Sequence, residues 1–456
     1  MVTPTHSTSP APFATPADNQ PLGTVHAPSP ASFAVSPVYA WTVFTLTFAL
    51  LLADFMSRQV LISVFPFLKA QWLLSDTQLG TLSSVVSIMV GLLTFPLSLL
   101  ADRYGRVRSL IAMAILWSLA TLGCAVSASY GDMLVARFFV GVGEAAYGSV
   151  GLAVVISVFP ARWRATLSGA FLAGGAFGST LGMALSGFIA ARFGWRWSFT
   201  TMAIVGLVLA ALYRLCVTER EIPLAECAPR RIREPRASLR SSVQKLRGAL
   251  FASKSVVFAY VGSGIQLAVP GALATWLPSY LTRNFGMRVD GAGMLAAVFV
   301  LASGIGLIVC GMLTDHASRR VPHRKFTTMI VLSIVSFASL SVAFQLPPGP
   351  AQLALIGIGM FVSAGACAST GAVVANLTAP AFHATAMALW ALANNLLGLA
   401  SGPIVAGVLA DRFDLRTALQ IVPFAALAAA LLFAVGSRYY RSDLDRATTS
   451  RDHSSN

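Results

Sequence analysis

Twelve apolar stretches, each about 20 residues or longer, recur between Val38 and Val435. At a rise of 1.5 Å per residue, about 20 helical residues cross the roughly 30 Å hydrocarbon core of a bilayer. The composition agrees with this interpretation, because 56% of the residues are hydrophobic and only 11% are charged. No alternating pattern of barrel strands is visible, so we predict an all-α membrane protein.

A single long break in hydrophobicity divides the twelve stretches six and six. The predicted spans are residues 38–66, 77–101, 109–128, 133–159, 167–190, 198–217, 255–282, 291–314, 326–346, 352–377, 385–410 and 417–436. The domains expected from them are a disordered cytoplasmic tail (1–37), an N-terminal six-helix bundle (38–217), a cytoplasmic linker (218–254), a C-terminal six-helix bundle (255–436) and a cytoplasmic tail (437–456).

The distribution of Lys and Arg predicts the orientation in the membrane. Of the 32 basic residues, 22 fall in loops after even-numbered spans or in the C-terminal tail, and 7 fall in loops after odd-numbered spans. The positive-inside rule therefore places both termini in the cytoplasm, and a bacterial inner membrane is expected. Basic loops facing anionic lipid also explain the net charge of +15, so no nucleic-acid partner is expected.

The two halves contain related segments. "GFIAARFGWR" from Gly187 matches "GVLADRFDLR" from Gly407, and each follows the fifth span of its half. "SLLADRYGRVR" from Ser98 similarly resembles "GMLTDHASRRV" from Gly311 after the second span. Two six-span repeats with the same orientation are typical of transporters that hold their substrate between the halves.

Several of these segments carry a family resemblance. "ADRYGRVR" resembles the loop signature of the major facilitator superfamily, and "RFFVGVGEAA" from Arg137 resembles its fourth-helix motif. "DFMSRQ", "LSDTQLG" and "GVGEAAYGS" are most similar to spinster-like transporters, with the anion:cation symporters next. The resemblance extends from Val38 to about Tyr440 and implies the major facilitator fold, with the first and fourth helices of each half lining a central cavity.

Three positions depart from the family pattern. Ser98 stands where the loop signature usually begins with glycine, and Ser57 stands where spinster-like proteins carry aspartate. Ser179 stands where drug:proton antiporters of the superfamily carry proline. The last departure disfavours a drug-efflux function.

Four charged residues are predicted within the first-half spans near the cavity. Asp54 and Arg58 are four residues apart and share a helix face, and Arg137 and Glu144 are seven residues apart on another helix. Burying such groups is costly, so intramembrane charges are usually functional, although a purely structural ion-pair cluster is the alternative. We predict that Glu144 carries a proton, with Arg58 as its changing partner, Asp54 as an assisting acid and Arg137 at the periplasmic end of the path.

The loop signature predicts a gate at a cytoplasmic helix end. Its residues are Asp102, Arg103, Gly105 and Arg106, with Asp315 and Arg319 as a weaker second copy. A carboxylate here can pair with basic residues or face the positive N-terminus of a neighbouring helix. The alternative for the arginines is that they only set orientation.

The second half has no charged residue within its predicted spans, so proton chemistry is assigned to the first half. Its polar and aromatic residues are candidates for contact with the uncharged part of a substrate, or for bonds between helices. These residues are Gln266, Trp276, Tyr280, Trp390, Asn394 and Asn395.

The sequence contains no nucleotide-binding loop, metal-ligand cluster or nucleophile motif, so we expect neither an enzyme nor a cofactor. The expected function is proton-coupled secondary transport of a small organic anion or amphiphile by alternating access. Alternatives are a proton antiporter that exports drugs or metabolites and a non-transporting membrane sensor. The expected partners are a small-molecule substrate, protons and membrane lipid, and we expect a monomer.

Overall fold

The computed structural model describes residues 35–222, 253–318, 324–378 and 383–454, which contain twelve helices long and apolar enough to cross a membrane and no β-strand. We label these helices α1 to α12. Their bounds are α1 Pro37–Trp72, α2 Asp76–Tyr104, α3 Arg106–Val126, α4 Tyr130–Val158, α5 Ala161–Phe193, α6 Trp195–Cys216, α7 Lys254–Phe285, α8 Val289–Ser318, α9 Arg324–Gln345, α10 Pro350–Leu377, α11 His383–Ala393 with Asn394–Ala400 and Ser401–Arg412, and α12 Leu415–Ile421 with Phe424–Ser454.

The predicted all-α architecture with twelve spans is confirmed. A capping box begins α2, because Ser75 Oγ accepts the N–H of Gln78 at 3.1 Å and Gln78 Oε1 accepts that of Ser75 at 3.0 Å. The last helix continues to Ser454, well beyond residue 436, where the final predicted span ends. The predicted tail lies outside the described residues up to residue 34, as does the linker over 223–252.

Three apolar cores show how the two halves meet. One core is shared by both halves and includes Phe65 and Leu79 of the first half with Trp276 and Leu277 of the second. It lies towards the α1–α2 and α7–α8 connections, and we call this side the closed end. Phe65 and Trp276 touch across the interface, with ring centroids 5.4 Å apart.

At the other side, which carries the start of α1 and the α2–α3 connection, each half has its own core. The first-half core contains Tyr147 and Tyr213, and the second-half core contains Phe326 and Phe433. In the described part of the chain, neither of these cores includes a residue from the other half. The halves are therefore packed together at the closed end and separate at this second side, the open end.

Close packing of α1 against α5 fixes the position of the first-half charges. Gly174, Gly178 and Gly182 recur every fourth residue and form a smooth face on α5. A Cβ atom at Gly182 would lie 2.6 Å from the backbone oxygen of Met56, closer than real Cβ atoms approach. The α1 segment that carries Asp54 and Arg58 thus lies directly on the backbone of α5.

Two helices are irregular near the middle of the molecule. The fourth is interrupted between Tyr130–Glu144 and Tyr147–Val158, so Glu144 is the last residue before the break. Thr94 Oγ1 of α2 lies 2.6 Å from the carbonyl oxygen of Ala145 at this break and 2.5 Å from that of Val90, so its single proton serves one of the two oxygens. In α11, Asn394–Ala400 forms a π-helical turn, a feature that is frequent at functional sites.

We expect Gly182→Val to destabilise the protein by about 1–3 kcal/mol, the usual cost of overpacking, because the new side chain would force α1 away from α5. Thermal unfolding of the detergent-solubilised protein measures this effect. Gly169→Val is the control, since a Cβ at Gly169 of the same helix meets nothing within 4 Å. Equal losses of stability in the two variants would contradict the packing role.

Candidate functional site

Arg58 connects the two helices that carry the first-half carboxylates. Its Nε lies 2.8 Å from Glu144 Oε2 of α4, and its Nη2 lies 3.6 Å from Asp54 Oδ2, one turn earlier on α1. The structure thus brings together three of the four charged residues that the sequence predicts for this site. Both carboxylates lie against the same guanidinium group.

The three side chains differ in their access to the surroundings. Those of Asp54 and Glu144 are 3% and 0% exposed, whereas that of Arg58 is 21% exposed. The Arg58 guanidinium also lies over the Phe55 ring, 5.1 Å from its centroid. Arg58 is therefore the most exposed of the three charged side chains.

Ser57 also contacts the charged group, although the sequence pattern distinguishes it only as a departure from spinster-like proteins and does not predict it as a site residue. Its Oγ lies 3.0 Å from the backbone oxygen of Asp54 and 3.3 Å from Glu144 Oε1. A hydroxyl has a single proton, so it donates fully to only one of these acceptors. Its position one turn after Asp54 was the available sequence signal.

Arg137 lies apart from this group. Its side chain is buried, and its Nε donates to the backbone oxygen of Leu82 at 3.4 Å. Among the residues that the structure describes, no carboxylate lies within 4 Å of its guanidinium. The predicted place of Arg137 on a proton path stays a prediction.

The predicted gating loop joins α2 to α3 at the open end. Asp102 Oδ1 pairs with Arg106 Nε at 2.9 Å, and the two side chains are one turn apart. Glu219, which follows α6, accepts the backbone N–H groups of Arg106 at 2.8 Å and Arg108 at 3.1 Å. Glu219, rather than Asp102, thus occupies the positive N-terminus of α3.

Gly105 makes this arrangement possible. Its φ of 105° lies in the region that favours glycine, and a Cβ there would lie 2.9 Å from the Glu219 carboxyl group. Arg103 is exposed and lies over the Tyr104 ring. In the second copy, Asp315 is exposed, and Arg319 lies outside the described residues.

Three of the second-half candidates are buried within the protein in this conformation. Trp276 belongs to the shared core, and its Nε1 donates to the backbone oxygen of Pro403 at 3.0 Å. The Tyr280 hydroxyl accepts a hydrogen bond from Gln352 at 2.8 Å. Gln266 donates through Nε2 to the backbone oxygen of Ser363 at 3.2 Å, while its buried Oε1 has no partner in the described part of the chain.

The other three candidates are partly exposed and lie at or beside the π-helical turn of α11. Trp390 Nε1 donates to Ser263 Oγ at 3.1 Å, and Ser263 Oγ donates to Asn394 Oδ1 at 2.8 Å. This order fixes the Asn394 amide with its oxygen towards α7 and leaves its two N–H donors for another partner. Asn395 lies where the halves meet, because a Cβ at Gly91 of α2 would lie 2.9 Å from its Cβ.

Two six-helix halves, with buried charges near the middle of the first-half helices α1 and α4, form the architecture of a secondary transporter. The family model of the Major Facilitator Superfamily matches residues 47–362 and, in a second match, residues 256–452. The chain belongs to the Major Facilitator Superfamily. It is accordingly an integral, multi-pass membrane transporter and not an enzyme, as the sequence predicts.

Two curated relatives and one solved structure illustrate the similarity. The chain is 26% identical to the hexuronate transporter of Bacillus subtilis (strain 168), over 63% of this chain and 67% of the relative. It is 24% identical to the sphingosine-1-phosphate transporter SPNS2 of Danio rerio, over 86% of this chain and 83% of the relative. The same fold occurs in a bacterial homologue of the human lysosomal transporter Spinster, solved in an inward-facing and unoccupied conformation, with a TM-score of 0.78. The two chains are 18% identical, and the match covers 90% of this chain and 99% of that one.

We expect Arg58→Gln to lower the melting temperature, because it leaves two buried carboxylates without their shared counter-charge. Breaking a fully buried pair costs about 3–5 kcal/mol, and partial exposure of Arg58 reduces that cost here. Removing one carboxylate as well, in Arg58→Gln/Glu144→Gln, is expected to recover most of the loss. If the double variant were less stable than Arg58→Gln, the ion pair would not be the cause.

Proposed function

We propose that this protein is a proton-coupled transporter of a small organic anion, and that it operates by alternating access. The observation that carries the proposal is the sharing of one partly exposed arginine, Arg58, between two buried carboxylates on different helices. Such a group can exchange its internal partner for a proton and an external anion. The proposal goes beyond family membership, which supports secondary transport only.

The balance of charge gives the coupling between proton and substrate. With Asp54 and Glu144 ionised and Arg58 positive, the three side chains carry a net charge of −1. Protonation of Glu144 makes this group neutral and removes the strongest partner of Arg58. Arg58, the most exposed member, then keeps only the longer contact with Asp54, so its remaining N–H donors can bind a carboxylate or phosphate of the substrate.

Release reverses these steps. When the anion leaves, Arg58 needs a new counter-charge, and an ionised Glu144 supplies it at the observed 2.8 Å. The dehydrated position of Glu144 favours its neutral form, while contact with Arg58 favours the carboxylate. Substrate departure and proton release therefore favour each other, as symport requires.

The second half would position the remainder of the substrate. The N–H donors of Asn394 are oriented by the Trp390–Ser263 hydrogen bonds and are available to an oxygen atom on the substrate. Trp390 offers a partly exposed ring for an apolar portion. We therefore place the substrate between Arg58 and the π-helical turn of α11.

Two features favour an anionic substrate. Arg58 is the most exposed charge of the site, and the hexuronate and sphingosine-1-phosphate transporters have substrates that carry an anionic carboxylate or phosphate group. Export of cationic drugs by antiport remains the alternative, and it would use the carboxylates instead of Arg58. The direction of flux under an imposed pH gradient distinguishes symport from antiport.

The key prediction concerns Glu144→Gln, which keeps the size and hydrogen bonding of the side chain but removes its titration. Proteoliposomes with an imposed pH gradient would be assayed with radiolabelled glucuronate, benzoate and sphingosine 1-phosphate. The wild type is expected to accumulate at least one of these anions, and Glu144→Gln is expected to lose accumulation while retaining binding in a thermal-shift assay.

Asp132→Asn is the matched control, because Asp132 is a carboxylate of the same helix that caps its exposed N-terminus. It should accumulate substrate like the wild type. Undiminished accumulation by Glu144→Gln would make the group a structural charge cluster. Binding confined to hydrophobic cations in a wider screen would exclude the anion proposal.

We further propose that both termini are cytoplasmic, so that the open end faces the cytoplasm in this conformation. In a background without native cysteines, Phe413→Cys at the closed end should react with an impermeant maleimide added to intact cells. Tyr104→Cys at the open end should react only after the membrane is permeabilised. Both positions are well exposed, so the reverse result would reject this orientation.

A further inference from the structure

The closed end contains charged residues that repeat between the two halves. Lys69 and Asp76, at the end of α1 and the start of α2, have counterparts in Arg283 and Asp290, at the end of α7 and the start of α8. Each counterpart follows 214 residues later. The two halves thus present the same pattern, a basic residue followed by an acidic one, at equivalent positions.

Of the two acidic residues, Asp76 binds a basic residue of the other half, whereas Asp290 pairs within its own half. Asp76 binds Arg283 of the other half in a bidentate pair, with N–O distances of 2.7 and 2.8 Å, and it also binds Lys69 of its own half at 2.7 Å. The Asp76 side chain is 4% exposed. A nearly buried carboxylate with two basic partners, one from each half, directly connects the halves.

Asp411 adds a second connection at the same place. Its two carboxylate oxygens accept the backbone N–H groups of Asp76 and Thr77, both at 2.7 Å. These groups belong to the first turn of α2, whose positive end favours a carboxylate. Asp411 lies near the end of α11, so it attaches the second half to the N-terminus of a first-half helix.

The equivalent interface between α5 and α8 lacks these connections. Asp290 pairs with its neighbour Arg288 at 3.3 Å, and Ala191 takes the place of Asp411 in the repeated segment. The contacts there are apolar and include close backbone approaches, such as Gly293 against the backbone of Met183. Among the described residues, the ionic contacts between the halves at the closed end therefore lie on the α2–α11 side.

We propose that Asp76, Arg283 and Asp411 form an ionic latch that holds the closed end shut and must break before the protein opens towards that side. The apolar α5–α8 contact can slide or rotate without separating charges, so on that side the halves can move without breaking an ion pair. This inference rests on the alternating-access part of the proposed function. It does not depend on the identity of the substrate or on proton coupling.

The test measures the distance across the closed end without any substrate. Spin labels would be placed at Val126→Cys and Phe413→Cys, two exposed positions at the closed end of the first and second halves, in a background without native cysteines. Pulsed electron double resonance in nanodiscs is expected to give a predominantly short distance for the parent protein. Asp76→Asn should raise the ratio of long-distance to short-distance populations roughly tenfold, as expected from the loss of charge-assisted hydrogen bonds.

The matched control is Asp290→Asn, which removes the equivalent carboxylate of the other half and should leave the distances unchanged. Asp76→Asn/Arg283→Gln should open no further than the more strongly affected single variant, because both changes break one contact. An unchanged distribution in Asp76→Asn, or an equal change in Asp290→Asn, would overturn the latch.

If Asp76→Asn fails to fold, a variant that adds a contact can still test the latch. Ala191→Asp places a carboxylate at the position equivalent to Asp411, next to the N-terminus of α8. It should reduce any long-distance population and raise the melting temperature of the labelled protein. A decrease in melting temperature together with a larger long-distance population would also contradict the proposal. Because these measurements need no transport, they remain decisive even if the anion or the proton assignment is wrong.

Discussion

The contact between Arg58 and Glu144 is the interaction on which the proposed site depends. Charges inside a membrane protein are tolerated when they pair with one another, and here one guanidinium serves two carboxylates on two helices. Its stability requires that α1 and α4 stay at a fixed separation. The glycine face of α5 holds α1 in place, and the interruption of α4 falls directly after Glu144. The packing of the first half thus determines the geometry of its charges.

The two halves contribute different chemistry. The first half holds the carboxylates and arginines, whereas the partly exposed second-half candidates are the uncharged polar and aromatic residues beside the π-helical turn of α11. Such a division would suit the proposed anionic substrate, because its charge and its apolar or hydroxylated remainder would contact different halves. It also confines any proton transfer to one bundle, whose internal packing does not need to change when the halves rock.

The ends of the molecule are stabilised by different forces. At the closed end, a shared apolar core and the contacts of Asp76, Arg283 and Asp411 join the halves, while at the open end each half has its own core. Near the open end, Asp102 and Arg106 pair within one half, and Glu219 occupies the N-terminus of α3. A loop whose charges are satisfied locally is compatible with separated halves, and it would need to exchange partners when that end closes.

The sequence alone determined the twelve helices, the six-and-six division and the family, because apolar length and repeated motifs are local properties of the chain. It also predicted Asp54, Arg58 and Glu144 as charges within the helices, since intramembrane charges are rare, and the structure brings these three together; their role in transport stays a prediction. It did not reveal that Arg58 serves both carboxylates while Arg137 contacts a backbone oxygen, because helix periodicity gives a face but not the distance to another helix. Nor did it separate Trp276 and Tyr280, which are buried, from Trp390 and Asn394, which are partly exposed. Only the tertiary structure decided that Asp76, and not its repeat Asp290, joins the halves. The two residues have equivalent positions in the sequence, but the packing of the helices brings Arg283 and Asp411 within bonding distance of Asp76 alone.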